Sequence, residues 1–110
     1  VRAARAAAGE GLRALAHVTG GGLTENLPRA LPGGLGARLE PWPLPPVFRW
    51  LAEAGGVAEA EMLRVFNCGV GMVLVLAPEA EAAVREALPE AWRLGTVAAE
   101  PGLSLAGPLF

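Results

Sequence analysis

Three consecutive glycines, Gly20 to Gly22, are the residues whose type and spacing most directly suggest chemistry. Glycine adopts positive φ at little steric cost and lets the backbone approach a ligand closely. A helix that begins after such a loop directs free N–H groups at whatever lies above it, which favours an anion such as phosphate. Because the chain has no lysine, a phosphate bound here depends on the backbone, hydroxyls, arginine or histidine. A flexible turn is the simpler alternative.

His17, the only histidine, lies shortly before these glycines, at the end of a predicted strand. Histidine is the side chain that most readily exchanges a proton near neutral pH. His17 is therefore a candidate acid or base, or a hydrogen-bond donor to a bound phosphate. The alternative is a structural histidine that is hydrogen-bonded to the backbone.

The two asparagines each lie beside a glycine-containing loop. Asn26 follows the triple glycine, and Asn67 opens a second loop that contains Gly69 and Gly71. The two loops would be able to converge on one ligand, although asparagine is also a good helix C-cap, which is the alternative for Asn67. No histidine or acid stands at a recognisable catalytic spacing from Cys68, so we predict a buried, unreactive thiol there.

Metal-ligand spacing is missing from the sequence. One cysteine and one histidine cannot form a structural zinc site by themselves. Glu25 is the only acid in the first loop, and one glutamate does not define a magnesium site. We therefore predict no metal ligands in this chain. The single cysteine also excludes an internal disulfide, which fits a reducing compartment and predicts a cytoplasmic location.

Length and composition predict one small folded domain. The chain has 110 residues, 53% of them apolar, which is atypical of a disordered chain. No apolar run approaches the ~20 residues that span a bilayer, and no signal-peptide pattern is present. The net charge is −2, with scattered arginines and few aromatic residues, which argues against a nucleic-acid-binding surface.

Periodicity predicts alternating helices and strands. Helices are expected at 1–9, 23–31, 47–54, 58–66 and 78–88, and strands at 12–18, 35–39, 72–77, 92–99 and, as an edge strand, 103–105. The proline-rich segment 41–46 predicts a stiff connector. This order favours an α+β fold, layered as in α/β proteins, with a mixed β-sheet covered by helices.

Some local features follow from the same pattern. Thr24 is a plausible N-cap, and Pro28 is acceptable only near a helix start. Apolar and polar residues alternate imperfectly in 12–18, which predicts a strand covered on both faces. In 92–99 the apolar residues change face part-way along, and a β-bulge at 95–96 would bring them back onto one face. An apolar stripe is expected along the third helix, formed by Val47, Trp50, Leu51 and Ala54.

Two segments together resemble a known family. Ala16–Arg29 reads AHVTGGGLTENLPR and resembles the AHITGGG…ENIPR signature of the phosphoribosylformylglycinamidine cyclo-ligases, also called aminoimidazole ribonucleotide synthetases. Phe66–Met72 reads FNCGVGM, which matches a second signature of that family. Segments 46–51 and 91–95 are also similar to it, and the resemblance runs from about residue 12 to 99. The departures are conservative, with Val18 and Leu27 where isoleucine is common.

The resemblance implies roles for the candidate residues. It implies that the triple-glycine loop holds either the ribose phosphate of the substrate or the phosphates of ATP, that His17 is catalytic, and that Asn67 opens a second wall of the site. The phosphate- or substrate-binding residues that it implies are Thr19, Gly20, Gly21, Gly22, Asn26, Asn67, Gly69 and Gly71.

Residues 1–110 resemble only the C-terminal domain of the much longer family enzyme. The resemblance implies an N-terminal domain, absent here, that carries most of the ATP site and the homodimer interface. We therefore expect a truncated domain that is inactive alone, binds neither ATP nor Mg²⁺ tightly, and self-associates through apolar surface that its partner domain covers.

By resemblance, the whole enzyme acts in de novo purine biosynthesis. ATP phosphorylates the formyl amide oxygen of formylglycinamidine ribonucleotide, and the amidine nitrogen then displaces phosphate to give aminoimidazole ribonucleotide, ADP and phosphate. Alternatives are a stand-alone phosphate- or nucleotide-binding module, a structural or interaction protein, or the same domain of a related ATP-dependent synthetase, such as formylglycinamidine synthetase or selenophosphate synthetase.

Overall fold

A computed structural model describes all residues from Val1 to Phe110. It contains five α-helices, two short 3₁₀ segments and five strands. The helices are α1 (Arg2–Ala8), α2 (Gly22–Arg29), α3 (Pro46–Gly55), α4 (Glu59–Val65) and α5 (Glu81–Ala87). The strands are β1 (Leu12–His17), β2 (Gly36–Leu39), β3 (Met72–Leu76), β4 (Gly95–Ala98) and β5 (Gly102–Leu105). None of the helices combines the length and apolarity that crossing a membrane requires.

The chain forms two compact units, of which the first comprises residues 1–15 and 74–93. Helices α1 and α5 pack together in this unit and bury Ala4 and Val84. Helix α1 ends at Gly9, whose positive φ of 55° is readily adopted only by glycine. Glu81 and Arg85, one turn apart on α5, form an exposed ion pair with 3.5 Å between the charged atoms.

The second unit comprises residues 16–73 and 94–110 and contains a three-stranded sheet in the order β4-β2-β5. Strand β2 pairs antiparallel with β4 and parallel with β5, so the predicted mixed sheet and edge strand are confirmed. Gly36 lies opposite Gly102, and a Cβ at Gly36 would overlap the backbone oxygens of Gly102 and Glu100. Close backbone approach therefore requires glycine at the start of β2.

Helices α2 and α4 pack on each other in the core of the second unit, where Leu23 and Met62 are fully buried.

The C-terminal segment is hydrogen-bonded to the side chain of Glu59 on α4. Its Oε2 accepts hydrogen bonds from the backbone N–H of Leu109 at 2.8 Å and of Phe110 at 3.2 Å. Burial of Leu109 adds apolar contact to this attachment.

Strands β1 and β3 form a separate two-stranded sheet. Two backbone bonds flank it, from Val18 N–H to the Gly71 carbonyl and from Ala77 N–H to the Gly11 carbonyl. Alternate residues of β1, including Leu15 and His17, are exposed. The expectation that both faces of this strand are covered was therefore wrong, and β1 is a half-buried strand.

Three other local predictions were also wrong. Gly21, not Thr24, is the N-cap of α2, because the helix already begins inside the glycine triplet. Pro28 lies in the last turn of α2, where its missing N–H leaves only the carbonyl of the first turn without a partner. The last predicted strand, 92–99, shrinks to β4, and Trp92 is exposed outside it. No bulge is needed, because β4 keeps a continuous register against β2.

The predicted apolar stripe of α3 is present but points largely outward. Val47 is 54% exposed and Trp50 is 64% exposed, and Ala54 is exposed as well. Ala52 is the buried residue of this helix. Helical periodicity locates an apolar face correctly, but it does not say whether the same chain covers that face.

Candidate functional site

The glycine loop turns directly into helix α2. Gly21 caps the helix with φ 97°, and Gly22 follows with φ 60°, both in the left-handed region that favours glycine. A hydrogen bond of 3.0 Å from Gly22 N–H to the Thr19 carbonyl closes the turn. The backbone N–H groups of Gly20 and Gly21 donate to no carbonyl within the chain. Two amide donors are therefore free at the positive end of the helix dipole.

The three glycines meet different surroundings. A Cβ at Gly22 would overlap the carbonyl oxygen of Leu63 and crowd that of Phe66, at the C-terminal end of α4. A Cβ at Gly21 would collide with the Glu25 side chain, whereas one at Gly20 meets no atom within 4 Å. Gly22 is thus needed for helix packing, while the space above Gly20 is open to a ligand.

Asn26 lies one turn into α2 and reaches back over the loop. Its Nδ2 lies 3.3 Å from the carbonyl oxygen of Thr19, 3.2 Å from that of Gly20 and 2.8 Å from that of Gly22. The side chain is partly buried at the closest of these contacts. The donor group of Asn26 is therefore occupied by the loop itself.

The second loop is a tight turn from Asn67 to Val70. Val70 N–H donates to the Asn67 carbonyl at 2.9 Å, and Gly69 N–H donates to Asn67 Oδ1 at 2.8 Å. Both central residues have positive φ, 51° at Cys68 and 90° at Gly69, as in a type I′ turn. Cys68 is the only non-glycine residue of the chain with positive φ, so this turn is held by its surroundings.

Those surroundings include Trp42, a buried residue of the proline-rich connector. Its Nε1 donates a buried hydrogen bond of 3.0 Å to the Cys68 carbonyl. The prediction that Cys68 is buried is confirmed, and burial raises the pKa of its thiol to about 11. At neutral pH the thiol is protonated, so it is a poor nucleophile.

The two loops border one cavity of about 270 Å³, which we call the loop groove. It is lined by Val18, Thr19, Gly20, Phe48, Val65, Phe66 and Asn67. The first loop contributes Thr19 and Gly20, and Gly20 carries one of the two free backbone N–H groups. The opposite side is largely apolar, and its Phe48 and Phe66 rings lie 6.1 Å apart at a tilt of 57°. Such a groove suits a ligand with one anionic and one apolar part.

Only some of the predicted site residues line the loop groove. Thr19, Gly20 and Asn67 line the loop groove, so residues of both loops border the same cavity. Other predicted residues shape the two loops without lining the groove: Gly21, Gly22, Asn26, Gly69 and Gly71. Among these, a Cβ at Gly69 would lie 2.7 Å from the Pro45 ring. His17 is exposed at the end of β1 and is not part of the lining.

Sequence reasoning missed the apolar lining. Phe48 and Phe66 lie in segments that carry the family resemblance, and Val65 lies in the predicted helix 58–66, but none of the three is predicted as a site residue. A signal did exist, because Phe66 directly precedes Asn67 and therefore accompanies it to the site. The bond between Trp42 and Cys68 had no such signal, because 26 residues separate the partners.

The donor set of the loop groove fits an anion. Its lining includes Gly20 with a free N–H and the polar residues Thr19 and Asn67, but no carboxylate. The structure also contains no group of three or more His, Cys, Asp and Glu side chains that would hold a metal ion. Magnesium prefers carboxylate and phosphate oxygens, so the residues present here fit an anionic group but not a metal ion.

Sequence comparison identifies the family to which this fold and site belong. The family model described as "AIR synthase related protein, C-terminal domain" matches residues 1–107. The chain therefore belongs to that family, and its α+β fold with mixed strand pairing agrees with the assignment.

The curated relatives carry a more specific name. The phosphoribosylformylglycinamidine cyclo-ligase of Burkholderia multivorans (strain ATCC 17616 / 249) is 56% identical over 94 residues, and that of Burkholderia cenocepacia (strain HI2424) is 55% identical over 94 residues. Each alignment covers 80% of this chain and 27% of the relative. The chain thus spans about a quarter of the length of the relatives that it matches.

Proposed function

We propose that this chain supplies the C-terminal domain of a phosphoribosylformylglycinamidine cyclo-ligase, the enzyme whose name its relatives carry. The identity of 55% over 94 residues supports this function. The loop groove is the observation that carries it, because it joins Thr19 and Gly20 of one family signature to Asn67 of the other. In this proposal the domain contributes one wall of the site for ATP-dependent closure of the imidazole ring.

The groove residues would bind and orient the substrate, formylglycinamidine ribonucleotide. Free N–H groups of the glycine loop and the Thr19 hydroxyl would hold a phosphate, either that of the ribose or one of ATP. Phe48 and Phe66 would exclude water beside it. His17 would exchange a proton with the reacting group only if the complete site brings the substrate to the end of β1.

The remaining parts of the site are proposed to lie in an N-terminal domain, which would supply most of the ATP site. ATP provides the phosphoryl group, and Mg²⁺ would be held there by carboxylates and phosphate oxygens. The complete enzyme would be a cytoplasmic homodimer. The 110-residue chain alone is expected to bind neither cofactor tightly and to catalyse no turnover.

A chimera tests this function. The corresponding C-terminal quarter of the Burkholderia cenocepacia relative is replaced by this chain, and ADP release is measured with formylglycinamidine ribonucleotide and ATP. We expect turnover by the chimera and none by the 110 residues alone. A folded chimera without activity, or turnover by the isolated chain, would contradict the proposal.

A matched pair of alanine variants tests the loop groove within the same chimera. Gly20 and Gly33 both have room for a Cβ and neither has positive φ. Gly20→Ala places a methyl group over the proposed phosphate and is expected to raise KM at least tenfold. Gly33→Ala, outside the groove, is expected to leave KM unchanged. Equal KM values for the two variants would show that the glycine loop does not contact the substrate or ATP.

A further inference from the structure

The Asn26 side chain satisfies three loop carbonyls with a single amide group. Nδ2 carries two protons and lies within 3.3 Å of the oxygens of Thr19, Gly20 and Gly22. At least one proton is therefore shared between two acceptors. Carbonyl oxygens that fold over the positive end of a helix need a donor, and Asn26 provides it from one turn inside α2.

The hydrogen bonds that Asn26 makes to the loop carbonyls also determine where the N–H groups of the same peptide planes point. In a trans peptide the C=O and N–H bonds point in opposite directions, and the chain contains no cis peptide. With its Thr19 oxygen drawn toward Asn26, the first plane directs the N–H of Gly20 away from Asn26. The next plane does the same for Gly21. Both N–H groups are otherwise unused within the chain.

We propose that Asn26 is the positioning residue of the glycine loop: it fixes these peptide planes so that the N–H groups of Gly20 and Gly21 remain presented to an anion. In this assignment Asn26 does not touch the ligand, because its donor group is already occupied and its side chain is absent from the groove lining. Without Asn26, the Gly20–Gly21 plane would lose the donor to its carbonyl, and the Thr19–Gly20 plane would be held only by the Gly22 N–H. The consequence for an anion rests on the proposed function, whereas the fixed loop conformation does not.

Two pairs of variants separate this role from general effects on α2. Asn26→Ala removes the donor, and Thr24→Ala is its control because Thr24 is exposed in the same turn. Asn26→Asp keeps the shape of the side chain but sets a carboxylate against three carbonyl oxygens. Thr24→Asp adds the same charge without that contact. If Asn26→Ala fails to fold, the nearly isosteric Asp variant still provides the test.

The first readout is ¹⁵N relaxation of the ligand-free 110-residue chain. Order parameters of the Gly20 and Gly21 amides are expected to be ~0.85 in the parent chain and both controls, and below ~0.6 in both Asn26 variants. Disordered glycine amides in the parent chain, or unchanged order in folded Asn26 variants, would overturn the proposal.

The second readout is titration with inorganic phosphate, followed through the same two amide resonances. We expect at least tenfold weaker binding in Asn26→Ala than in Thr24→Ala, and in Asn26→Asp than in Thr24→Asp. Loss of binding with unchanged loop order would mean that Asn26 contacts the anion itself, which also overturns the assignment. If the parent chain ignores phosphate while its loop order depends on Asn26, the proposed phosphate site fails and the positioning role stands.

Discussion

At the scale of single residues, the three adjacent glycines differ in why they are glycine. Gly21 has a left-handed backbone, Gly22 also abuts the carbonyls at the end of α4, and Gly20 has open space in place of a side chain. A sequence motif treats the three as equivalent. The structure separates a packing requirement at Gly22 from open space at Gly20, and this separation makes the positions testable one by one.

Gly22→Ala is expected to destabilise the chain by about 2–5 kcal/mol. A left-handed conformation costs a non-glycine residue about 1–2 kcal/mol, and overpacking against the Leu63 carbonyl adds about 1–3 kcal/mol. Gly20→Ala is the control, with an expected change within about 0.5 kcal/mol. Urea unfolding measures both free energies. Equal stabilities would show that α2 and α4 separate easily at this point.

Cys68 should make stability depend on alkaline pH. Burial keeps its thiol protonated in the folded chain, with a pKa of about 11 against an ordinary value of 9.0. Burial of the neutral thiol contributes fully below pH 9, and this contribution is lost as the pH rises toward 11, because the unfolded chain then binds fewer protons. The chain has neither lysine nor tyrosine, so no other side chain titrates in this interval.

Unfolding free energies measured between pH 8 and 11 check this expectation. They should fall with increasing pH in the parent chain and fall less in Cys68→Ala. Slow reaction with iodoacetamide at pH 7 should accompany this result in the folded chain. Identical pH profiles for the two proteins would mean that solvent reaches the thiol.

At the scale of elements, the proline-rich connector and the second loop act together. Trp42 of the connector hydrogen-bonds the Cys68 carbonyl, and Pro45 packs against Gly69. A turn with two positive φ values, one of them at a cysteine, is thereby held in place. The connector thus does more than join β2 to α3, because it supports the loop that places Asn67 in the groove.

Trp42→Phe is expected to lower the free energy of unfolding by about 1–3 kcal/mol, because the buried carbonyl of Cys68 loses its donor. Trp92→Phe is the matched control. Trp92 is 45% exposed, so this change should cost less than about 0.5 kcal/mol. Denaturant unfolding of both variants gives the comparison, and a Trp42→Phe chain as stable as the control would remove the connector from its supporting role.

Element order was well predicted from periodicity, whereas partners across the chain were not. Helix α3 could be placed because Pro46 starts it and two glycines follow its apolar stripe. The hydrogen bonds of the Asn26 side chain could not be predicted, because every residue has a backbone carbonyl and the sequence does not show which carbonyls accept such a bond. The predicted strand 92–99 is too long at its start, because Trp92 and Leu94 fit a strand pattern although β4 begins only at Gly95.

At the scale of the whole molecule, the exposed face of α3 is an apolar surface without a covering element. Val47 and Trp50 are more than half exposed, one helical turn apart. Exposed apolar patches commonly mark interaction sites. The proposed partner domain would be one such covering surface, and in its absence a second copy of the chain would cover it less specifically.

We therefore expect concentration-dependent association of the 110-residue chain, and weaker association of Trp50→Arg. Glu53→Gln changes the net charge by one unit in the same direction on the same helix, while it keeps the apolar face. Light scattering over a range of concentrations compares the three proteins. A monomeric parent chain at high concentration would contradict the prediction, as would equal effects of the two substitutions.

The pairing of β2 also sets the order in which the second unit can form during synthesis. Both neighbours of this strand lie more than fifty residues further along the chain. A ribosome adding about 5–20 residues per second would leave β2 without a partner strand for several seconds. The glycine loop and α2 are already translated before this interval, and α3, α4, the second loop and α5 are translated during it. Nascent chains stalled before Gly95 should therefore be sensitive to protease at β2, whereas α2 and α4, which need no later residue to pack together, should already be protected.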